Sequence, residues 1–180
     1  MISPSSVQVA FGVATPVDVE HLVALVESAY RGDASRAGWT TEADLLGGQR
    51  TDREEVAALI DDRSVAIVLA RQRGELVGCV AIRIDAERVA HIGMFAIRPT
   101  LQRSGIGGAL LAEAERLARE RGAREAEMTV IEQRVELLGW YARRGYVATG
   151  ETEPFPYGNP RFGLPKRDDL RFLVLAKKIS

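Results

Sequence analysis

The chain has 180 residues, of which 46% are hydrophobic and 27% charged, as in a soluble globular protein with a core of its own. A formal net charge of −1 removes the simplest argument for nucleic-acid binding, and no apolar run approaches the roughly 20 residues of a membrane span. Residues 1–6 lack the basic and apolar regions of a secretory signal. We therefore predict one domain over residues 1–180 in the cytoplasm, with neither nucleic acid nor membrane as a partner.

The first half of the chain predicts strands, two helices and a hairpin. Apolar periodicity and turn residues place a strand at 7–14, helices at 15–30 and 52–61, a hairpin of strands at 65–70 and 76–84, and a strand at 88–98. Thr15 is a candidate helix cap. Cys79, the one cysteine, has no cysteine or histidine at metal-ligand spacing, so we expect a core residue and no metal site.

A glycine-rich loop follows the strand at 88–98 and opens a helix predicted over 106–121. Its residues are Gln102, Arg103, Ser104, Gly105, Ile106, Gly107 and Gly108. Glycines leave backbone N–H groups open to a phosphate, and the helix start adds partial positive charge, so the loop predicts a pyrophosphate site. A Walker A loop would need Gly-Lys-Ser/Thr, but Ala109 follows the glycines, and a dinucleotide fingerprint would need glycine in place of Leu110.

The second half of the chain predicts further strands around a short helix. A strand at 125–131, a helix at 135–144 and strands at 146–150 and 170–177 are joined by a long connection at 151–169. This connection holds four prolines and three aromatic residues, which favours an ordered, functional segment packed on the body of the protein. The element order β-α-α-β-β-β-α-β-α-β-β predicts a mixed α/β domain.

Two motifs together resemble the GNAT superfamily of acyl-CoA-dependent N-acyltransferases. Residues 102–107 match the pattern Gln/Arg-x-x-Gly-x-Gly/Ala, and downstream a strand is followed by a short helix with the pair Trp140-Tyr141 and then by Gly145-Tyr146. The resemblance covers nearly the whole chain and implies the GNAT fold, a mixed and mostly antiparallel sheet flanked by helices. It also implies acetyl transfer from acetyl-CoA to a primary amine by direct attack. A non-catalytic acyl-CoA sensor or interaction module is the alternative.

The resemblance implies a set of cofactor contacts. Backbone groups of Phe95, Ala96 and Ile97 are expected to bind the pantetheine arm of acetyl-CoA, and residues 102–108 its pyrophosphate. Tyr141 matches the position of the family's general acid, and a phenol with a pKa of about 10 stays protonated until a thiolate leaves. Many relatives have Asn seven residues before this tyrosine, whereas this chain has Arg134, whose contact with the cofactor is left open.

The general base and the acceptor site are less defined. Glu132, just after the strand at 125–131, is the nearest base candidate, with Glu42, Asp44 and His91 as alternatives. The segments 30–53 and 151–169 are expected to form the acceptor site, walled by Trp39, Tyr157 and Phe162. Candidates for binding an anionic group on the acceptor are Arg31, Arg36, Arg50, Arg161 and Arg167. The acceptor, a small-molecule or peptide amine, stays open, and a second copy of the chain is a further candidate partner.

Overall fold

The architecture is that of a computed structural model, which describes residues 8–180. Within them, the strands are β1 (Val9–Val13), β2 (Leu46–Gly47), β3 (Val65–Gln72), β4 (Glu75–Ile84), β5 (Val89–Ile97), β6 (Glu125–Ile131), β7 (Val147–Pro154), β8 (Leu164–Pro165) and β9 (Arg171–Lys178). The helices are α1 (Val19–Tyr30), α2 (Gly32–Ser35), α3 (Arg53–Asp61), α4 (Ile106–Glu120) and α5 (Val135–Ala142). The predicted first strand starts at Val7, which lies outside the described residues.

Seven strands form one sheet in the order β1-β3-β4-β5-β6-β9-β7. Neighbouring strands are antiparallel except β5 and β6, whose parallel pairing requires the crossover through α4. The central strands are apolar on both faces because helices cover both faces. Ile67 of β3 belongs to the core beneath α1 and α3, whereas Val68 belongs to the core beneath α4. The predicted mixed, mostly antiparallel sheet flanked by helices is confirmed.

A cleft opens where β5 and β6 separate. Within the described chain these strands pair only at residues 89–91 and 125–127. Further along, the register between β4 and β5 shifts between Cys79 and Ala81, and Met94 has a φ of 45°. An irregularity of this kind bends a strand away from its neighbour. The carboxyl-terminal halves of β5 and β6 therefore diverge, and their facing backbone edges are left without a shared ladder.

The largest departure from the predicted elements lies in the connection at 151–169. β7 continues to Pro154, so the prediction that its strand ends at residue 150 is wrong. The remainder of this connection contains a short 3-10 turn at Pro160–Phe162 and the strand β8, which pairs with β2. We call this pair of strands the β2–β8 ribbon. Neither the ribbon nor α2 was predicted, because elements of two to four residues are too short to show a hydrophobic period in the sequence. No helix within residues 8–180 is both long and apolar enough to cross a membrane.

Candidate functional site

The glycine loop presents an open helix N-terminus. Gly105 precedes α4 with a φ of 89°, in the left-handed region that favours glycine, and no side chain caps the helix there. The side chain of Ile106 is buried and fixes the first turn to the core. The first N–H groups of α4 have no intrahelical acceptor, so this end of the helix suits an anion.

A cavity of about 570 Å³ extends from this loop to the end of β5, and we call it the larger cavity. That volume lies in the range typical of small-molecule sites. Arg103, Arg143 and Arg144 line it, and none of the three forms an ion pair within residues 8–180. Their unpaired charge beside the glycine loop suits phosphate groups. Arg143 and Arg144 were not predicted as site residues from the sequence, although two adjacent arginines directly after the Tyr141 helix are a usable signal.

Close packing between the loop and α5 shapes this cavity. The guanidinium carbon of Arg144 lies 3.5 Å from the ring centroid of Trp140, and its Nη1 donates to the Trp140 carbonyl at 3.0 Å. A Cβ at Gly107 would lie 3.5 Å from the Trp140 ring, and a Cβ at Gly108 would lie 3.3 Å from Arg144 Nη2. A Cβ at Gly107 would thus make ordinary van der Waals contact with α5, whereas one at Gly108 would require Arg144 to shift slightly.

A second cavity of about 340 Å³, the smaller cavity, occupies the gap between β5 and β6. Residues 92–95 and 128–131 form two walls, and phenylalanines 155, 162 and 172 cover part of the remainder. The residues that line both cavities are Tyr30, Phe95, Arg134, Leu137 and Tyr141. The two cavities therefore meet beside Tyr141. We call this meeting point, lined by the five shared residues, the junction.

Tyr141 is buried at the junction, and its hydroxyl has no hydrogen-bond partner within residues 8–180. The residue is 6% exposed, and its ring packs edge-on against Trp140 and Tyr146 at centroid distances of 5.1 and 5.8 Å. The chain has four tyrosines, and within the described residues the other three hydroxyls all have hydrogen-bond partners. Burial raises the pKa of the Tyr141 phenol, so its proton is retained at neutral pH. A protonated donor is thus available to a molecule bound at the junction.

Glu42 is buried between two arginines behind the junction. Its Oε2 accepts from Arg31 Nη1 at 2.6 Å and its Oε1 accepts from Arg134 Nη1 at 2.9 Å. Burial opposes ionisation, but Arg134 and Arg31 outweigh it and hold the pKa of Glu42 below its usual range. Arg134 also donates to the Thr40 carbonyl. Arg134 thus lines the junction and anchors the segment around Glu42, while both oxygens of Glu42 are engaged.

Gln102, predicted to contact a pyrophosphate, ties two segments together with its side chain. Its Oε1 accepts from the backbone N–H groups of Trp39 and Thr40 at 2.7 and 3.2 Å. Its Nε2 donates to Thr40 Oγ1 at 2.8 Å and to the Ile97 carbonyl at 3.1 Å. The amide is therefore occupied within the protein, and the residue couples the glycine loop to the segment that carries Trp39.

The other residues predicted to contact the cofactor differ in whether their side chains line the larger cavity or are buried in the core. Phe95, Ile97 and the three loop glycines line the larger cavity. Ala96 and Ile106 point into the core and are 2% and 5% exposed, so only their backbone groups are candidates for contact. The Ser104 hydroxyl donates to the Leu101 carbonyl within the loop.

The structure does not bring Glu132, the predicted base, to the junction. Its carboxylate accepts from Arg171 at 2.6 and 2.7 Å, and this pairing holds the pKa of Glu132 below its usual range. The residue lines neither cavity. Asp44 pairs with Arg36 at the surface, and His91 bonds Asp85 at 2.7 Å near the start of β5. A carboxylate already engaged at the surface is a poor base for an amine at the junction.

The three aromatic residues predicted to wall the acceptor site do not lie together. Trp39 lines the larger cavity, with its ring centroid 6.4 Å from that of Trp140, rather than the gap between the strands. Tyr157 lines neither cavity; its hydroxyl accepts from the Leu170 N–H at 2.8 Å. Phe162 does line the smaller cavity, as do Glu55 and Glu153, which sequence analysis missed. Since these glutamates lie on α3 and β7, no local spacing connects them.

The chain matches proteins of known family and structure. The family model described as Acetyltransferase (GNAT) family matches residues 23–146. An aminoalkylphosphonate N-acetyltransferase of Salmonella typhimurium is 31% identical over 99 residues, which are 52% of this chain and 64% of that protein, less than two thirds of its length. The ribosomal-protein-S18-alanine N-acetyltransferase of Escherichia coli superposes with a TM-score of 0.71 at 14% identity, covering 96% of this chain and 95% of that one. The PaiA N-acetyltransferase of Thermoplasma acidophilum, in complex with coenzyme A, gives 0.64 at 14% identity, covering 95% and 99%.

Proposed function

The chain belongs to the acetyltransferase (GNAT) family, and from that premise we propose that it transfers an acetyl group from acetyl-CoA to a primary amine by direct attack. The observation that carries the proposal is the junction, where two cavities meet beside Tyr141, whose hydroxyl has no hydrogen-bond partner within residues 8–180. Such a meeting point suits a reaction between two bound substrates, each in its own cavity.

The larger cavity has the charge and backbone groups that acetyl-CoA requires. The open N-terminus of α4 and the three unpaired arginines supply donors to its phosphates. Beyond residue 91, the edge of β5 that faces β6 has no ladder partner in the described chain. The Phe95 and Ile97 carbonyls accept from the Tyr30 hydroxyl and the Gln102 amide, and each has a second lone pair for a pantetheine amide. A cofactor placed in this way has its thioester beside Tyr141.

The chemistry then requires proton movements at two atoms. The amine nitrogen attacks the thioester carbonyl carbon, a C–N bond forms, and the C–S bond breaks with its electron pair on sulfur. Tyr141 donates its phenolic proton to that sulfur, so coenzyme A leaves as a thiol. The proton lost by the amine leaves through the smaller cavity, where Glu55 and Glu153 provide carboxylates, and solvent returns one to Tyr141.

A non-catalytic acyl-CoA sensor is the second candidate function. Its support is the position of Glu132, which is paired with Arg171 away from the junction and cannot serve there as a base. The unpaired hydroxyl of Tyr141 favours the enzyme, because a sensor has no need of a proton donor at the sulfur.

A two-part assay separates these functions. Acetyl-CoA is expected to raise the melting temperature of the protein, whereas ATP and NAD are not, because a ligand stabilises in proportion to its affinity for the native state. Free thiol is then followed with small amines, amino acids, peptide N-termini and aminoalkylphosphonates, the last because of the name of the Salmonella relative. Reactions without amine control for hydrolysis. A shift with acetyl-CoA but no amine-dependent thiol release over the whole panel would favour the sensor.

A further inference from the structure

Three guanidinium groups line the smaller cavity, and two of them share a single carboxylate. Arg31, Arg50 and Arg134 all line it, and the carboxylate of Glu42, buried among them, bonds Arg31 through one oxygen and Arg134 through the other. Arg50 forms no ion pair with any residue between 8 and 180. One half-buried guanidinium is therefore left unpaired in this cavity.

Arg31 adds a buried donor edge that has no acceptor. Its side chain is 5% exposed, and its Nε and Nη2 atoms are buried without a hydrogen-bond partner in the described chain. The N–H groups of these two atoms point the same way, which matches two oxygens of one carboxylate or phosphonate. Gly163 packs beside this edge, and a Cβ there would lie 2.9 Å from Nη2, too close for any side chain. Charged donors that are buried and unpaired destabilise the protein, and an anion bound here relieves that penalty.

These arginines lie close to the junction. The guanidinium carbon of Arg50 is 5.5 Å from the ring centroid of Tyr30, which lines both cavities and donates its hydroxyl to the Phe95 carbonyl. An anion at Arg50 is thus separated from a nucleophile at the junction by a short carbon chain. Glu55 and Glu153 line the same cavity and suit the ammonium form of an entering amine.

Given the acetyl transfer proposed above, on which this step rests, we infer that the acceptor is a small primary amine carrying a carboxylate or phosphonate, and that Arg50 and Arg31 bind this anionic group. The apolar carbons between the two ends contact the phenylalanines of the smaller cavity. Arg134 stays with Glu42 and holds the wall against which the anion binds.

Two matched sets of amines test the inference. The first set is β-alanine, 2-aminoethylphosphonate and the neutral 3-aminopropan-1-ol, and the second is phenylalanine and the neutral 2-phenylethylamine. Each is measured with wild type, Arg50→Gln, Arg50→Lys and Arg116→Gln, because Arg116 pairs with Glu113 and Glu120 on the outer face of α4 and serves as the matched control. Arg50→Gln is preferred to a change at Arg31, since Arg31 is buried and paired with Glu42.

Thiol release should be at least about tenfold faster, as kcat/KM, with the anionic member of a set than with its neutral counterpart. Arg50→Gln should lower kcat/KM for the anionic amines by about 10- to 100-fold, and much less for the neutral amines, with partial recovery in Arg50→Lys. Comparison within the first set distinguishes carboxylate from phosphonate. Equal use of neutral and anionic amines by wild type, or a preference that survives Arg50→Gln, would overturn the inference.

Calorimetry in the presence of coenzyme A reports acceptor binding without turnover. If no amine releases thiol but the anionic amines bind in a manner that depends on Arg50, the proposed transfer fails and the anion site stands. If thiol is released but neither set shows an Arg50-dependent preference, the transfer stands and the anion site fails. Absence of binding by every anionic amine at millimolar concentration also overturns the anion site.

Discussion

Tyr141 and Tyr146 share one aromatic cluster but differ in what their hydroxyls contact. Their ring centroids are 5.8 Å apart, and both are almost fully buried. The Tyr146 hydroxyl donates to Glu115 Oε1 at 2.9 Å, and Lys177 bonds the same carboxylate, so this polar group is satisfied within the protein. Burial raises the pKa of both phenols. Of the two, Tyr141 lines both cavities and Tyr146 lines neither, so each residue is a matched control for the other.

Tyr141→Phe should remove turnover without removing the fold. The substitution keeps the ring packing and deletes a hydroxyl that bonds no described residue, so stability and acetyl-CoA binding should change little, while kcat falls by about 10² to 10⁴. Tyr146→Phe should show the reverse, with kcat near that of wild type and a loss of roughly 1 to 3 kcal/mol in the free energy of unfolding. Steady-state thiol release and chemical denaturation check both variants. Equal kcat values in the two would exclude Tyr141 as the proton donor.

At the level of elements, the turn from β5 into α4 depends on glycine for two different reasons. Gly105 is needed for its backbone, since its φ is 89°. Gly107 lies inside the first turn of α4, where space for a larger side chain is limited, since the Trp140 ring and Ile97 lie 3.5 and 3.6 Å from a Cβ placed there. An added methyl fits at these distances, but a branched side chain fills the space in front of the helix N-terminus.

Gly107→Val should therefore abolish the rise in melting temperature with acetyl-CoA while the protein stays folded, because valine is at least as favourable as glycine within a helix. Gly107→Ala should give an intermediate shift. Gly12→Val is the matched control, since a Cβ at that position of β1 meets nothing within 4 Å. Melting curves with and without acetyl-CoA, together with circular dichroism, make the comparison. A full acetyl-CoA shift in Gly107→Val would place the phosphates elsewhere.

For the whole molecule, patterns local in the sequence predicted most of the helices and strands. The roles of the charged residues depend on ion-pair partners that are distant in the chain, and these could not be predicted. The loop before α4 was readable because its glycines and the apolar period of the helix are neighbours in sequence, whereas Tyr141 was singled out by the resemblance to the GNAT superfamily. Glu132 resembled a base because it follows β6, but Arg171 of β9 occupies its carboxylate. Arg134 bonds Glu42 across 92 positions, a pairing that no spacing indicates. The β2–β8 ribbon likewise forms only when the two segments are brought together by the sheet.

Since the two cavities share only the junction, damage to one should leave binding in the other intact. Phe162 lines the smaller cavity and is 49% exposed, so Phe162→Ala should raise the KM of the amine several-fold at little loss of stability and leave the KM of acetyl-CoA unchanged. Arg144→Met, in the larger cavity, should raise the KM of acetyl-CoA about tenfold and leave that of the amine unchanged. In the double variant the two effects should add as free energies, because Phe162 and Arg144 each line only one of the cavities. If either single variant raised both KM values equally, the assignment of one substrate to each cavity would be wrong.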